Sequence, residues 1–316
     1  MVSAPPCHGG GRGFKSRLGR VIWLNASARA SEIAIIKFVV VGTIRNVESK
    51  LRGEIERFHR EFGQLGEVRI FLVESDSFDR TQAICDQLRL ELDYFDYISL
   101  GNLEKSIPSR VERIAACRNV YVDAIRESDD FRNSDFIVVA DFDNRNSLLS
   151  SENIKVATSR PGNWSGLFAN QAWKYYDIFA LRHPVWCPNN ILDEIDWYKK
   201  ELPGLPAKEI VTFNRMLKIS KSRDLIEVNS AFGGLGIYRT SCFINHDYTY
   251  SESDSPQESE HVILNRKIVR GGGHLFIDPQ LVNLRFIHHS LESISWMRKL
   301  YKSKKRLNRL MNITKF

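Results

Sequence analysis

The chain has 316 residues, 43% hydrophobic and 26% charged, with 19 Gly, 10 Pro and 5 Cys. This composition argues against a disordered or collagen-like chain, and the length supports a large α/β core without disulfide staples. The odd cysteine count and the lack of CxxC spacing argue against a disulfide framework or a zinc ribbon.

The net charge is +7, but its placement says more than its total. Residues 291–316 carry eight basic residues and one acid, and residues 1–30 carry five basic residues and no acid, which leaves residues 31–290 at −5. The basic excess therefore lies at the ends, and no nucleic-acid partner is expected for the body. The longest apolar run, Ile33 to Val41, is interrupted by Lys37 and is too short to span a bilayer. With no apolar signal-peptide block before it, the expectation is a cytoplasmic protein.

Residues 1–30, rich in Gly, Ser, Ala and Arg, read as a flexible basic segment. From Ser31 a β-branched run followed by a helical segment repeats, the signature of a parallel sheet with crossover helices. Strands are expected at 33–41, 68–73, 94–100 and 135–140. Helices are expected from an Asn46 cap to Phe62, from Phe78 to Leu92, and from Pro108 to Arg126. Beyond Asn144 the pattern is irregular, with two polar helices up to Lys218, a Gly-rich segment at 229–239, a helix from Glu258 to Val269 and a last strand at 274–277. The expected fold is α/β, one domain with a mixed, mostly parallel central sheet flanked by helices. Residues 31–145 form its nucleotide-binding half, 146–290 its acceptor half, and 291–316 a basic tail.

Asp141 and Asp143 directly follow the buried strand 135–140. Ligands of open α/β sheets bind outside the carboxyl ends of the strands, and two close carboxylates call for a cation or for hydrogen-bond donors. Oxygen ligands alone favour Mg²⁺ or Mn²⁺ shared with a phosphate, while the plainer use of one Asp is to cap a turn. Two aspartates one residue apart are poorly placed to flank a glycosidic bond as a hydrolase pair. The loop Gly42, Thr43, Arg45 and Asn46 lacks GxGxxG and Walker spacing, which disfavours hydride transfer and an ATPase. It still offers backbone groups and Arg45 to a nucleotide.

Arg110, Arg113 and Arg118, with Asn119, can offer guanidinium groups to a diphosphate or pair with Glu112 or Glu127. Glu260 and His261 open a helix, where a carboxylate serves either as a proton acceptor or as a partner of the helix dipole. His288 and His289 offer an imidazole to a metal or a structural contact. Trp164, Phe168, Trp173, Tyr175 and Tyr176 suit either a sugar face or the core.

The ordered set of Asp141 to Asn144, 175–182 (TyrTyrAspIlePheAlaLeuArg), 229–238 and 258–262 resembles a GT-A fold nucleotide-sugar glycosyltransferase. More narrowly it is similar to the capsule-type α-mannosyltransferase family, over about residues 33–290. The resemblance implies Asp141, Asp143 and His288 or His289 as metal ligands for Mn²⁺ or Mg²⁺, and Glu260 as the acidic residue at the acceptor-side helix. It further implies Gly233 and Gly234 as the acceptor loop, and Tyr176 and Asp177 in the sugar pocket. Trp164, Asn229 and His261 join them as sugar or acceptor contacts. It implies a nucleoside-diphosphate-sugar donor, GDP-mannose before a UDP-sugar, and a glycan or lipid-linked acceptor in surface polysaccharide synthesis. This sequence departs from the fungal members in lacking an N-terminal membrane anchor, which implies a cytoplasmic enzyme. The tail, with Leu300, Leu307 and Leu310 among cations, suits peripheral docking on an anionic membrane as well as plain solvation. A metal-dependent nucleotidyltransferase and a non-enzymatic polyanion- or membrane-binding module are the alternatives.

Overall fold

In the computed structural model, which describes residues 35–286, β1 (Ile36–Ile44), α1 (Leu51–Gly63), β2 (Gly66–Glu74), α2 (Thr81–Glu91) and β3 (Phe95–Ser99) come first. They are followed by α3 (Arg110–Glu127), a short α4 (Asp129–Arg132) and β4 (Phe136–Ala140). The second half adds α5 (Ser151–Thr158), β5 (Gly166–Gln171), α6 (Ile191–Glu201), α7 (Ala207–Val211), β6 (Ile226–Val228) and β7 (Leu235–Arg239). It closes with α8 (Thr240–Phe243), α9 (Glu260–Arg270) and β8 (Leu275–Leu284). All eight strands form one sheet in the order β3-β2-β1-β4-β7-β5-β8-β6. β1 to β4 run parallel, β7 is inserted antiparallel between β4 and β5, and β6 closes the far edge antiparallel to β8.

The apolar runs are continuous because both faces of the sheet are covered. Val39, Val41, Ile137 and Val139 pack on one face against Tyr121, Val122 and Ile125 of α3. Phe38, Val40 and Val138 pack on the other against Ile55, Phe58 and Phe62 of α1. Residues 36–286 belong to one compact unit. Among the described residues no helix is long and apolar enough to cross a membrane.

Several boundaries differ from the sequence reading for local reasons. Asn46 does not cap α1: its backbone is left-handed (φ 53°) and its Oδ1 accepts the Phe78 N–H at 2.9 Å, tying two loops together. α3 begins after Pro108, capped by the Ser109 hydroxyl. The Gly-rich segment is half loop and half β7, an interior strand whose alternation is hidden because Leu235 to Tyr238 are all buried. α5 and β5 arise where the aromatic-rich stretch shows neither period cleanly.

Candidate active site

The parallel strands β1, β2 and β4 end on one side of the sheet, and a cleft of about 420 Å³ opens there. Its floor is the loop after β4. Gly42, at the end of β1, lets that loop approach closely, since a Cβ there would meet the Ala140 carbonyl at 2.5 Å and the Phe142 ring at 2.8 Å. Asp141 and Asp143 both line the cleft.

The Asp141 carboxylate accepts no hydrogen bond among the described residues. Burial first, and then the neighbouring Asp143, push its pKa up to about 7. Asp143 is more exposed and is held by Arg145, whose Nε lies 3.1 and 3.0 Å from its two oxygens. A hard divalent cation would relieve the Asp141 carboxylate, so the donor chemistry fits one, with phosphate oxygens supplying further ligands. Two carboxylates are few: no group of three or more His, Cys, Asp or Glu suited to a metal occurs among the described residues. His288 and His289 lie outside the described residues.

A buried amide cluster fixes the floor. Asn146 donates to the backbone carbonyls of Asp141 (2.8 Å) and Gly234 (3.3 Å), and Gln171 donates to the Gly233 carbonyl (3.1 Å). Asn283 donates to the Gly233 carbonyl (2.8 Å) and to Asn146 Oδ1 (3.0 Å). With all three side chains wholly buried and paired, the carboxylate loop and the Gly233–Gly234 turn are set as one piece. Both glycines have positive φ, 69° and 87°. Asp177 lines the cleft beside them and accepts the N–H groups of Gly233 (3.0 Å) and Ala180 (3.3 Å), and burial raises its pKa. Tyr176 also lines the cleft, with the Arg145 guanidinium 5.9 Å from its ring centre.

The opposite wall comes from the first half of α3 and the first turn of α9. Arg118, almost buried, places Nε 3.1 Å from Glu260 Oε1, bonds the Tyr121 hydroxyl at 3.0 Å and lies 3.0 Å from His261 Nε2. Since Arg118 can only donate, His261 Nε2 accepts and Nδ1 carries the ring hydrogen. The His261 ring stacks on Phe232 at 3.6 Å, and burial, followed by Arg118, pulls its pKa well below 6.5, so it stays neutral. Arg113 pairs with Asp76 at 3.6 Å and with the carbonyls of Ile107 and Pro108. Arg45 reaches the Asp76 carbonyl at 3.1 Å, while Thr43 lines the cleft. Arg110 lines it with no side-chain partner among the described residues.

Thr43, Arg45, Arg113, Arg118, Asp141, Asp143, Tyr176, Asp177, Glu260 and His261 thus meet at one cleft, with Gly42, Gly233 and Gly234 shaping its backbone. Arg45, Arg113 and Arg118 pair with Asp76, Glu104 and Glu260, and among the described residues no arginine of α3 pairs with Glu112 or Glu127. Four expected contacts lie elsewhere. Asn46 is in its turn. Asn119 faces the 248–249 segment, donating to Thr249 and accepting from Tyr248 N–H. Asn229 is exposed at another depression, with Glu227 and His274. Trp164 is a core residue, 1% exposed, stacked on Phe136 and covered by Arg239. Phe168 and Tyr175 are core as well. Sequence reasoning missed Ser75 and Asp76, whose only signal was their place at the end of β2, and the three amides, which have no motif.

No protein-family model matches the chain, and no curated protein sequence matches it. Among solved structures it is similar to residues 1–349 of TarS from S. aureus, with 15% identity over 83% of this chain and 64% of that one and a TM-score of 0.46. It is also similar to a mannosyltransferase from Pyrobaculum calidifontis in complex with GDP-Man and Mn²⁺, with 12% identity over 80% and 59% of the two chains and a TM-score of 0.45. A third is mannosyl-3-phosphoglycerate synthase from Rubrobacter xylanophilus, with 11% identity over 87% and 77% and a TM-score of 0.40. The chain spans about three fifths of the length of the first two. Likeness of this degree leaves the functional argument to the chemistry of the cleft.

Proposed function

We propose that this protein is a metal-dependent glycosyltransferase of GT-A type that moves a sugar from a nucleoside-diphosphate sugar to a hydroxyl of a glycan or lipid-linked acceptor. The observation that carries this reading is Asp141, an unpartnered carboxylate with its pKa raised to about 7, beside Asp143 and facing a wall of arginines. Asp141 and Asp143 would hold the divalent cation, Mn²⁺ or Mg²⁺. When bound, the cation stabilises the negative charge that develops on the departing diphosphate.

The chain's own residues supply the rest. Thr43, Arg45 and Arg113 shape the nucleotide side of the cleft, and Arg110 offers its free guanidinium to phosphate oxygens. Tyr176 and Asp177 meet the sugar. Glu260, with one oxygen held by Arg118, accepts the proton of the attacking hydroxyl in this reading as the new glycosidic bond forms. The diphosphate departs with the electrons of the broken bond. GDP-mannose is the narrower donor reading and a UDP-sugar the other. Surface polysaccharide or glycolipid assembly is the proposed setting, on the cytoplasmic face of the membrane, with residues 291–316 lying outside the described part of the chain.

The test is release of nucleoside diphosphate from GDP-mannose or UDP-glucose with Mn²⁺ present. Release that EDTA or Asp143→Asn removes supports the proposal. Pyrophosphate release from a nucleoside triphosphate, with none from either sugar donor, points to a nucleotidyltransferase instead.

A further inference from the structure

The carboxyl edge of the sheet holds more than the cleft. β5 and β8 run in the same direction as β4, so their ends at Gln171 and Leu284 open on the same side as Ala140. A second groove, of about 700 Å³, lies beyond them, with Leu148, Glu152, Lys221, Gln280 and Arg285 among its lining residues. Trp173 directly follows Ala172, one of its lining residues. Its backbone N–H donates to the Arg285 carbonyl at 3.0 Å, and the residue is 40% exposed.

Among the described residues the charges of this groove are unmatched. Elsewhere on the surface Arg52 meets Glu91 and Arg266 meets Asp254 and Glu258. Lys221 and Arg285 have no side-chain partner among the described residues, and neither has Glu152. The groove therefore carries two cations, one carboxylate and an adjacent exposed indole. An indole face suits the apolar face of a pyranose ring, and unpaired cations suit the carboxylates or phosphates that charged sugars carry.

The groove and the cleft also share a foundation. Asn283, whose side chain helps to fix Gly233 and Asn146, accepts the Leu148 N–H on its carbonyl at 2.7 Å. Leu148 is only five positions on from Asp143, at most roughly 18 Å of chain. Cleft and groove therefore lie on one edge of the sheet and are tied through Asn283.

We infer that the groove is an acceptor subsite for an anionic saccharide chain, with Trp173 against a sugar ring and Lys221 and Arg285 against its acidic groups. The inference rests on the glycosyl-transfer reading of the cleft.

The experiment is calorimetric titration of the full chain with three probes: tetragalacturonate (carboxylate), a glycerol-phosphate tetramer (phosphate) and neutral maltotetraose. The variants are Lys221→Glu with Arg285→Glu, and Trp173→Ala. All three sites are exposed, and an unchanged melting temperature confirms folding. One anionic probe is expected to bind the wild type more tightly than maltotetraose does, and to bind each variant about tenfold more weakly or worse. The probe that binds identifies the acid group. Equal affinity in wild type and variants overturns the inference, and so does binding of neither anionic probe. Every protein tested keeps residues 291–316, so capture by those basic residues gives equal affinities and counts against the groove. The nucleotide response with Mn²⁺ is measured in parallel. If it persists while the groove fails, the transfer reading stands; if the wild type lacks it, both readings fall.

Discussion

The two walls of the cleft use the same kinds of charged group and treat them differently. On the α3/α9 wall the charges answer one another: Arg118 with Glu260, Arg113 with Asp76, both arginines nearly buried. On the β4 wall, among the described residues, Asp141 has no hydrogen-bond partner and Asp177 has only backbone donors. A wall whose charges are matched internally holds its shape, whereas one with an unrelieved carboxylate is complete only with a ligand. Mutations should therefore damage stability on the first wall and ligand response on the second.

The largest expected effect tests the matched wall. Arg118→Ala leaves Glu260 buried without its cation and should cost about 3–5 kcal/mol in denaturant unfolding. A loss under about 1 kcal/mol would show that the pair is not structural. Asp141→Asn tests the other wall in the opposite direction. Removing a carboxylate that folding disfavours should stabilise the metal-free protein at pH 8 by something on the order of a few kcal/mol, while abolishing its response to Mn²⁺. Destabilisation there would mean that the ionised group is already satisfied.

The same carboxylate gives a pH dependence. Its folded pKa, about 7, lies above the unfolded value, so its protonation favours folding fully below the unfolded pKa of about 4. That contribution is lost as pH rises through about 7. The metal-free wild type should therefore lose stability between pH 5 and 8 relative to Asp141→Asn, and the Mn²⁺-induced rise in melting temperature should grow over the same interval. Parallel pH profiles for the two proteins would remove the assignment.

Arg110→Ala should have the smallest effect on stability. The side chain is exposed and has no partner among the described residues, so stability should change by no more than about 0.5 kcal/mol. Affinity for a nucleoside diphosphate should fall several-fold while affinity for the nucleoside holds. Equal loss for both ligands would place Arg110 away from the phosphates.

What could be read from the sequence follows from how locally each feature is encoded. β1, β2 and β4 announce themselves as buried β-branched runs, and Asp141 and Asp143 gain meaning from following one of them. α3 and its arginines are evident too, but the helical wheel separates Arg118 from Arg113, whereas the structure brings both to the cleft because α9 supplies Glu260 to Arg118. Such a pairing across 142 positions leaves no local pattern. β7 is hidden because an antiparallel strand deep in a sheet loses its polar alternation. The amides Asn146, Gln171 and Asn283 act through backbone carbonyls, which no side-chain motif records. Trp164 misleads because an aromatic in a turn-rich stretch looks alike whether it faces a sugar or the core, and here Phe136 and Arg239 enclose it.

The most direct test of the central claim is calorimetric titration of GDP and UDP into wild type and Asp141→Asn, each with Mn²⁺ and with EDTA. The account predicts binding of one diphosphate to the wild type that requires Mn²⁺ and disappears in the variant. Equal binding with and without metal, or Mn²⁺-dependent binding that survives in Asp141→Asn, would contradict it.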